Sequence, residues 1–155
     1  MFGESLLGAA ATTFVMAMVP VIELRGAIPV GVAAGLPVWA ATVIAVIGNM
    51  VPIPFILLLI RRIFVWLCRV PKLGEVIARL EHHARLKSAS VRKYRTIGLI
   101  ILVAIPLPGT GAWTGALVAD VMHIRMKVAL PAIFAGVCIA GFIVSLATLG
   151  IVHLF

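Results

Sequence analysis

Apolar residues run along this chain in long blocks, and polar residues fall at a few sharp interruptions. Residues 5–22 are nearly all apolar, residues 38–60 form a second apolar run, and residues 128–155 form a third. Each of the last two is long enough for a membrane helix, which needs about 20 apolar residues. Shorter apolar pieces lie at 30–36, 97–105 and 116–122. Within 38–60, Gly48-Asn49 followed by Pro52 and Pro54 predicts a kink. Over 73–91 the pattern changes. Leu73, Val76, Ile77, Leu80, Ala84 and Val91 recur with a helical period, and Glu75, Arg79, Glu81, His82 and Arg85 lie between them. That predicts an amphipathic helix on the membrane surface.

Two interruptions stand out: Glu23-Leu24-Arg25-Gly26-Ala27-Ile28-Pro29, and Pro106-Leu107-Pro108-Gly109-Thr110-Gly111-Ala112-Trp113-Thr114-Gly115. Both sit inside apolar sequence, and both carry residues that stop helices. Irregular backbone at membrane depth is tolerated only where protein buries it or where it lines a polar cavity. Paired interrupted segments in two halves of a membrane protein point to a transporter's binding site.

Composition removes the soluble alternative. The chain is 63% hydrophobic and 12% charged, with mean hydropathy +1.23, more apolar surface than 155 residues can hide in water. The long apolar start, with no basic residue before Arg25, differs from a cleaved signal peptide. The net charge of +8 has a simple origin. Ten of the 13 Lys and Arg lie in 61–95, and the positive-inside rule assigns such a loop to the cytoplasm. A nucleic-acid partner is not needed to explain it; anionic lipid headgroups are the expected partner of this loop. His123, Arg125 and Lys127 form a second, smaller basic cluster on the same side.

These charges give a topology. Residues 38–60 run inward and 128–155 run outward. Each is preceded by a segment that enters and leaves from one face. The expected fold is an all-α integral membrane protein in one domain, 1–155, built as an inverted repeat. Repeat 1 covers about 5–60 and repeat 2 about 96–155. Each is a re-entrant helical hairpin plus a transmembrane helix, with the cytoplasmic amphipathic helix in the linker 61–95 between them. Gly26-Ala27-Ile28-Pro29-Val30-Gly31 aligns on Gly111-Ala112-Trp113-Thr114-Gly115 with one gap. At 5–22 the entering arm is long enough to be a span in its own right.

The candidate chemistry lies at the two tips. Half-helices starting near Gly26 and Gly111 would aim free N–H groups at the bilayer midplane and attract anions. Pro29 would then fall in the first helical turn, where its missing N–H matters least. Arg25 adds a guanidinium fork suited to phosphate or carboxylate. Glu23 has two readings, a proton carrier or a permanent salt bridge with Arg25. Pro106, Pro108, Gly109, Thr110 and Gly111 form the second tip, and Trp113 either stacks on a ligand or plugs that tip. Asn49 is expected to hydrogen-bond to a tip or to contact ligand. Asp120 is an interfacial residue or a second proton site. Gly31-x-x-x-Gly35 and Gly111-x-x-x-Gly115 offer smooth packing faces.

Other chemistry is not indicated. Thr110 and Thr114 have no His or Asp at a nucleophile–base spacing, so no enzyme activity is expected. There is no nucleotide-binding loop and no cofactor motif. Cys68, Cys138 and the pair His82-His83 lack partners at metal-ligand or disulfide spacing.

The two tip segments resemble the signatures of the bacterial and archaeal family of small multidrug export proteins, related to the DedA superfamily. The resemblance covers nearly the whole chain. It implies paired re-entrant hairpins and proton-linked transport or lipid translocation across the prokaryotic inner membrane. The implied functional positions are Glu23, Arg25, Pro106, Pro108, Gly109 and Gly111. After Pro108-Gly109 this chain has Thr110-Gly111 where the DedA pattern carries an arginine. The expected function is a proton-coupled membrane transporter for a lipid or small molecule bearing an anionic group. The alternatives are an exporter of drugs, often cationic, or a non-transporting membrane scaffold. Expected partners are anionic lipid, the substrate and, as one option, a second copy of the chain in a homo-oligomer.

Overall fold

The computed structural model describes the backbone of residues 2–67, 89–107 and 110–154. It is all-helical, with no strand among the described residues. The helices are α1 (Phe2–Met18), α2 (Glu23–Ala33), α3 (Val38–Met50), α4 (Pro52–Leu67), α5 (Ala89–Ala104), α6 (Ala112–Val121) and α7 (Met126–Leu154). The amphipathic helix expected over 73–91 lies, except for its last three residues, outside the described residues. So do Pro108 and Gly109.

Two stretches are long and apolar enough to cross a membrane: Val38–Ile63, which joins α3 to α4, and Met126–Ile151 in α7. They coincide with the two longest runs of the sequence. The expected kink sits at Val51, between α3 and α4. Pro52 opens α4 at a first helical position, which suits a residue without an N–H. The apolar parts of α1, α5 and α6 are shorter. The apolar surface of this protein faces outward as well as inward: Phe55, Leu59, Phe142, Leu146 and Ile151 are all exposed. An outer surface so rich in large apolar side chains fits a hydrocarbon surround.

The first break lies earlier than the polar residues mark it. Pro20 stops α1 at Met18, because proline disfavours helix in the residue before it and supplies no N–H. Residues 19–22 form the turn, and the N–H of Glu23 donates to the Val19 carbonyl at 2.9 Å. Helix α2 therefore starts at Glu23 rather than near Gly26, and Pro29 lies inside it rather than in its first turn. The cost is one helical hydrogen bond, to the Arg25 carbonyl four residues back. Gly26 packs against the turn, where an added Cβ would lie 2.5 Å from Ile22 Cγ2.

Helices α1, α2 and α3 pack on one another, and so do α5, α6 and α7. The two groups join through α3 with α7, α2 with α7, and α4 with α6. Alanine dominates the shared core: Ala27, Ala45, Ala112, Ala116, Ala119 and Ala129 are fully buried. Small side chains let helix backbones approach closely.

The ends of α2 and α6 are built alike. After α2, Leu36 N–H donates to Gly31 O (3.0 Å) and Ala34 N–H to Val30 O (2.9 Å). After α6, Ile124 N–H donates to Ala119 O (2.8 Å) and Met122 N–H to Val118 O (2.9 Å). Both are Schellman-type stops, with a left-handed residue and then a buried apolar one. The left-handed residue is Gly35 (φ +97°) in one and His123 (φ +53°) in the other. The spacing between matching positions is constant (31 and 119, 36 and 124; 88 in each case), and α3 and α7 start at the same spacing (38 and 126). It continues to Gly48 and Gly136, each pressed on a neighbouring backbone. A Cβ at Gly48 would lie 2.6 Å from the Phe14 carbonyl oxygen, and one at Gly136 2.9 Å from that of Ile100. This register replaces the one-gap alignment of Gly26 on Gly111. Gly35 is thus a helix stop, while Gly31 packs against Thr13 and Ala41.

Gly48→Ala and Gly136→Ala are each expected to lower stability by about 1–3 kcal/mol, because a backbone carbonyl cannot swing away as a side chain can. Gly150→Ala, with open space at its Cβ, is expected to be neutral or to gain up to about 1 kcal/mol from helix propensity. Thermal unfolding in detergent checks the contrast.

Candidate functional site

Glu23 opens α2 with φ +49°, a backbone conformation uncommon for a residue with a Cβ. Its side chain is buried. Rather than turning back along its own helix, it reaches the start of α6. There Glu23 Oε1 accepts a hydrogen bond from the Trp113 backbone N–H at 3.4 Å. Gly111, the residue preceding α6, has extended backbone and no side chain to cap the helix. The Glu23 carboxylate takes that place, and a Cβ at Gly111 would collide with it. A carboxylate at a helix amino end satisfies an otherwise unpaired N–H and meets the positive end of the helix dipole. The amino end expected to attract an external anion thus already holds the Glu23 carboxyl group, from the other half of the chain.

Arg25 makes the reciprocal connection. Its Nη2 donates to Thr110 Oγ1 (3.1 Å) and to the Ile105 carbonyl (3.4 Å), just past the carboxyl end of α5. A cation there opposes the negative end of that helix. Thr110 Oγ1 also donates back to the Ile105 carbonyl at 2.8 Å and lies 3.0 Å from that of Leu107, which ties the turn around Pro106 together. Glu23 and Arg25 form no ion pair with each other within 4.0 Å. Each instead binds the second tip, 80–90 residues away in sequence. Glu23, Arg25, Thr110, Gly111 and Trp113 therefore form one constellation, with Pro106 in its loop.

Asp120 lies elsewhere, near the carboxyl end of α6. It is buried and pairs with Arg61, Oδ1 to Nε at 3.5 Å. Arg61 also donates to the Ile124 carbonyl (3.0 Å), and Arg95 donates to the Met122 carbonyl (3.2 Å). Two arginines thus hold the carbonyls at the end of α6. In the sequence both belong to the basic stretch that reads as an interfacial loop, so only the fold shows their inward bonds.

Asn49 is fully buried in α3. Its neighbours at helical spacing, Ala45 and Ile53, are equally buried, so it faces the core. Neither atom of its carboxamide has a hydrogen-bond partner, and the expected bond to a tip is not made. The Trp113 indole N–H is likewise buried without a partner. No group of three or more His, Cys, Asp or Glu suited to a metal occurs among the described residues.

Gly111→Ala is expected to cost about 1–3 kcal/mol by forcing the Glu23 carboxylate away. In a Glu23→Ala background the same change is expected to cost less, with a coupling of about 0.5–3 kcal/mol in a double-mutant cycle. Strict additivity would show that the two residues do not interact. Asn49→Leu removes an unpaired buried amide, a penalty of about 1–3 kcal/mol, so it is expected to raise the unfolding temperature. A lowered temperature would show that the carboxamide has a partner.

Comparison with curated proteins and with solved structures found no match. The family described as "Putative small multi-drug export protein" matches residues 23–143, from Glu23 at the first tip to well inside α7. Because that match spans most of the chain and contains both tips, the protein belongs to this family, and its apolar helices make it a membrane protein.

Proposed function

We propose that this protein is a proton-coupled transporter of the prokaryotic inner membrane whose substrate site lies between the two tips. The carrying observation is the crossing of charges. Glu23 and Arg25, two residues apart, both bind the second tip rather than each other. A scaffold has no evident use for an acid and a base joining two helix breaks inside apolar sequence, and ionisable groups at such depth are functional by default. The substrate's anionic group, from a lipid headgroup or a small molecule, would compete with the Glu23 carboxylate for the amino end of α6. Protonation of Glu23 would weaken its hold on that end and admit the substrate.

An inverted repeat fits this reading. The two halves share capping bonds and tight glycines at one constant spacing. Their contacts also exchange: α2 packs on α7 as α6 packs on α4. Opposite orientation follows from the charges, since the basic stretches 61–95 and 123–127 both belong in the cytoplasm. The short helices around each break then serve as arms of re-entrant hairpins. The family description favours a second reading, export of drug molecules, many of them cationic, with Glu23 as counter-charge.

The test is movement of substrate into proteoliposomes under an imposed pH gradient, with a fluorescent anionic lipid analogue and a cationic dye in parallel. Glu23→Gln keeps size but removes the titratable proton, and Arg25→Lys keeps charge but loses the fork. Both are expected to unfold within a few degrees of the wild type and to lose transport, Glu23→Gln also losing its pH dependence. Wild-type transport of either substrate by Glu23→Gln would eliminate Glu23 as the coupling residue. Movement of the dye alone would favour drug export.

A further inference from the structure

A groove of about 630 Å3 runs along α4, lined by Phe55, Leu58, Leu59, Arg61 and Arg62. Phe55, Leu58, Leu59 and Arg62 recur at helical spacing, so they form one stripe parallel to the helix axis. The three apolar members are open to the surroundings, at 70%, 54% and 60% exposure. They belong to the candidate span Val38–Ile63, which sets this stripe against hydrocarbon. The stripe ends in charge. Arg61 is turned toward Asp120 and the Ile124 carbonyl. Arg62 is exposed and makes no hydrogen bond or ion pair among the described residues.

We propose that this groove is a binding site for an anionic phospholipid, with an acyl chain along Phe55, Leu58 and Leu59 and the headgroup phosphate on Arg62. An apolar track that ends at an exposed guanidinium is the complement of a lipid: a chain at one end and an anion at the other. Arginine suits the phosphate because its fork can bind two oxygens at once. The sequence points the same way, since ten of the chain's 13 Lys and Arg fall in 61–95, and a basic segment next to a membrane span attracts anionic headgroups. A second copy of the chain fits less well. A two-fold axis normal to the membrane that paired this stripe with itself would bring the two Arg62 side chains together, and like charges repel. The site lies on the outer face of α4, and its occupancy is read without transport, so its failure and that of the tip reading are separable.

The test uses the purified full chain in mild detergent with added phosphatidylglycerol or phosphatidylcholine of identical chains. At about tenfold excess over Kd, a ligand of the folded state alone should raise the unfolding temperature by roughly 3–6 °C for a chain of this size. We expect that rise with phosphatidylglycerol and little with phosphatidylcholine. Arg62→Gln should remove the difference, Arg62→Lys should keep part of it, and Lys127→Gln, at the other basic cluster, should keep all of it. Inorganic phosphate and glycerol phosphate should not reproduce it, and Leu58→Ser should weaken it. Equal shifts with both lipids, a selective shift that survives Arg62→Gln, or an equal shift with free phosphate would overturn the proposal. So would efficient disulfide cross-linking between two copies carrying Leu59→Cys, in a background lacking Cys68 and Cys138, because protein would then cover the groove.

Discussion

The contact on which the two halves depend is a carboxylate at the start of a helix. Glu23 leaves α2 and caps α6, and three oddities of the chain follow from that placement. Glu23 sits at positive φ, which aims its side chain away from its own helix. Gly111 is a glycine because a Cβ there would occupy the carboxylate's space. The start of α6 needs no capping side chain from its own segment, because the cap comes from elsewhere. In water such a cap contributes about 1 kcal/mol or less. In apolar surroundings the alternative is an uncapped N–H with no water to meet it, which costs several kcal/mol.

Arg25 extends the same logic to the helix before the turn. The chain around Pro106 exposes carbonyls at the end of α5 and N–H groups at the start of α6. One acid and one base, two residues apart, meet opposite needs on either side of that turn. Their spacing on α2 keeps them from simply neutralising each other, so each charge remains coupled to the backbone of the other half.

Much of this was legible in the sequence, and the failures have physical causes. The two spans follow from apolar length, expected over 38–60 and 128–155 and found at Val38–Ile63 and Met126–Ile151, and the second break follows from Pro106, whose effect on the preceding residue is steric and local. The first break lies at Pro20 rather than at the polar residues Glu23 and Arg25. A charged residue in a helix does not end it, whereas a proline after Val19 does. The ends of α2 and α6 are capped alike at a register that the one-gap alignment does not give. The matching feature is a left-handed backbone residue ending a short helix, and it is Gly35 in one half and His123 in the other. Sequence comparison scores those as unrelated. Asn49 was legible as polar and mid-span, but not as unpartnered, since that depends on what the other helices bring near it.

The ten-residue helix α6 is held at both ends by charges opposite to those of its own dipole. Glu23 from α2 meets its amino end, and Arg61 from α4 and Arg95 from α5 meet carbonyls at its carboxyl end. The arrangement resists displacement along the helix axis in either direction. Motion toward Arg61 stretches the 3.4 Å contact of Glu23, and motion toward Glu23 stretches the contacts of Arg61 and Arg95, at 3.0 and 3.2 Å. Releasing one end therefore shifts the balance toward the other. Asp120 is the acid on α6 itself, and its partner Arg61 also holds the Ile124 carbonyl. Glu23 thus holds the amino end of α6 through one backbone contact, while Arg61 and Arg95 hold the carboxyl end through two.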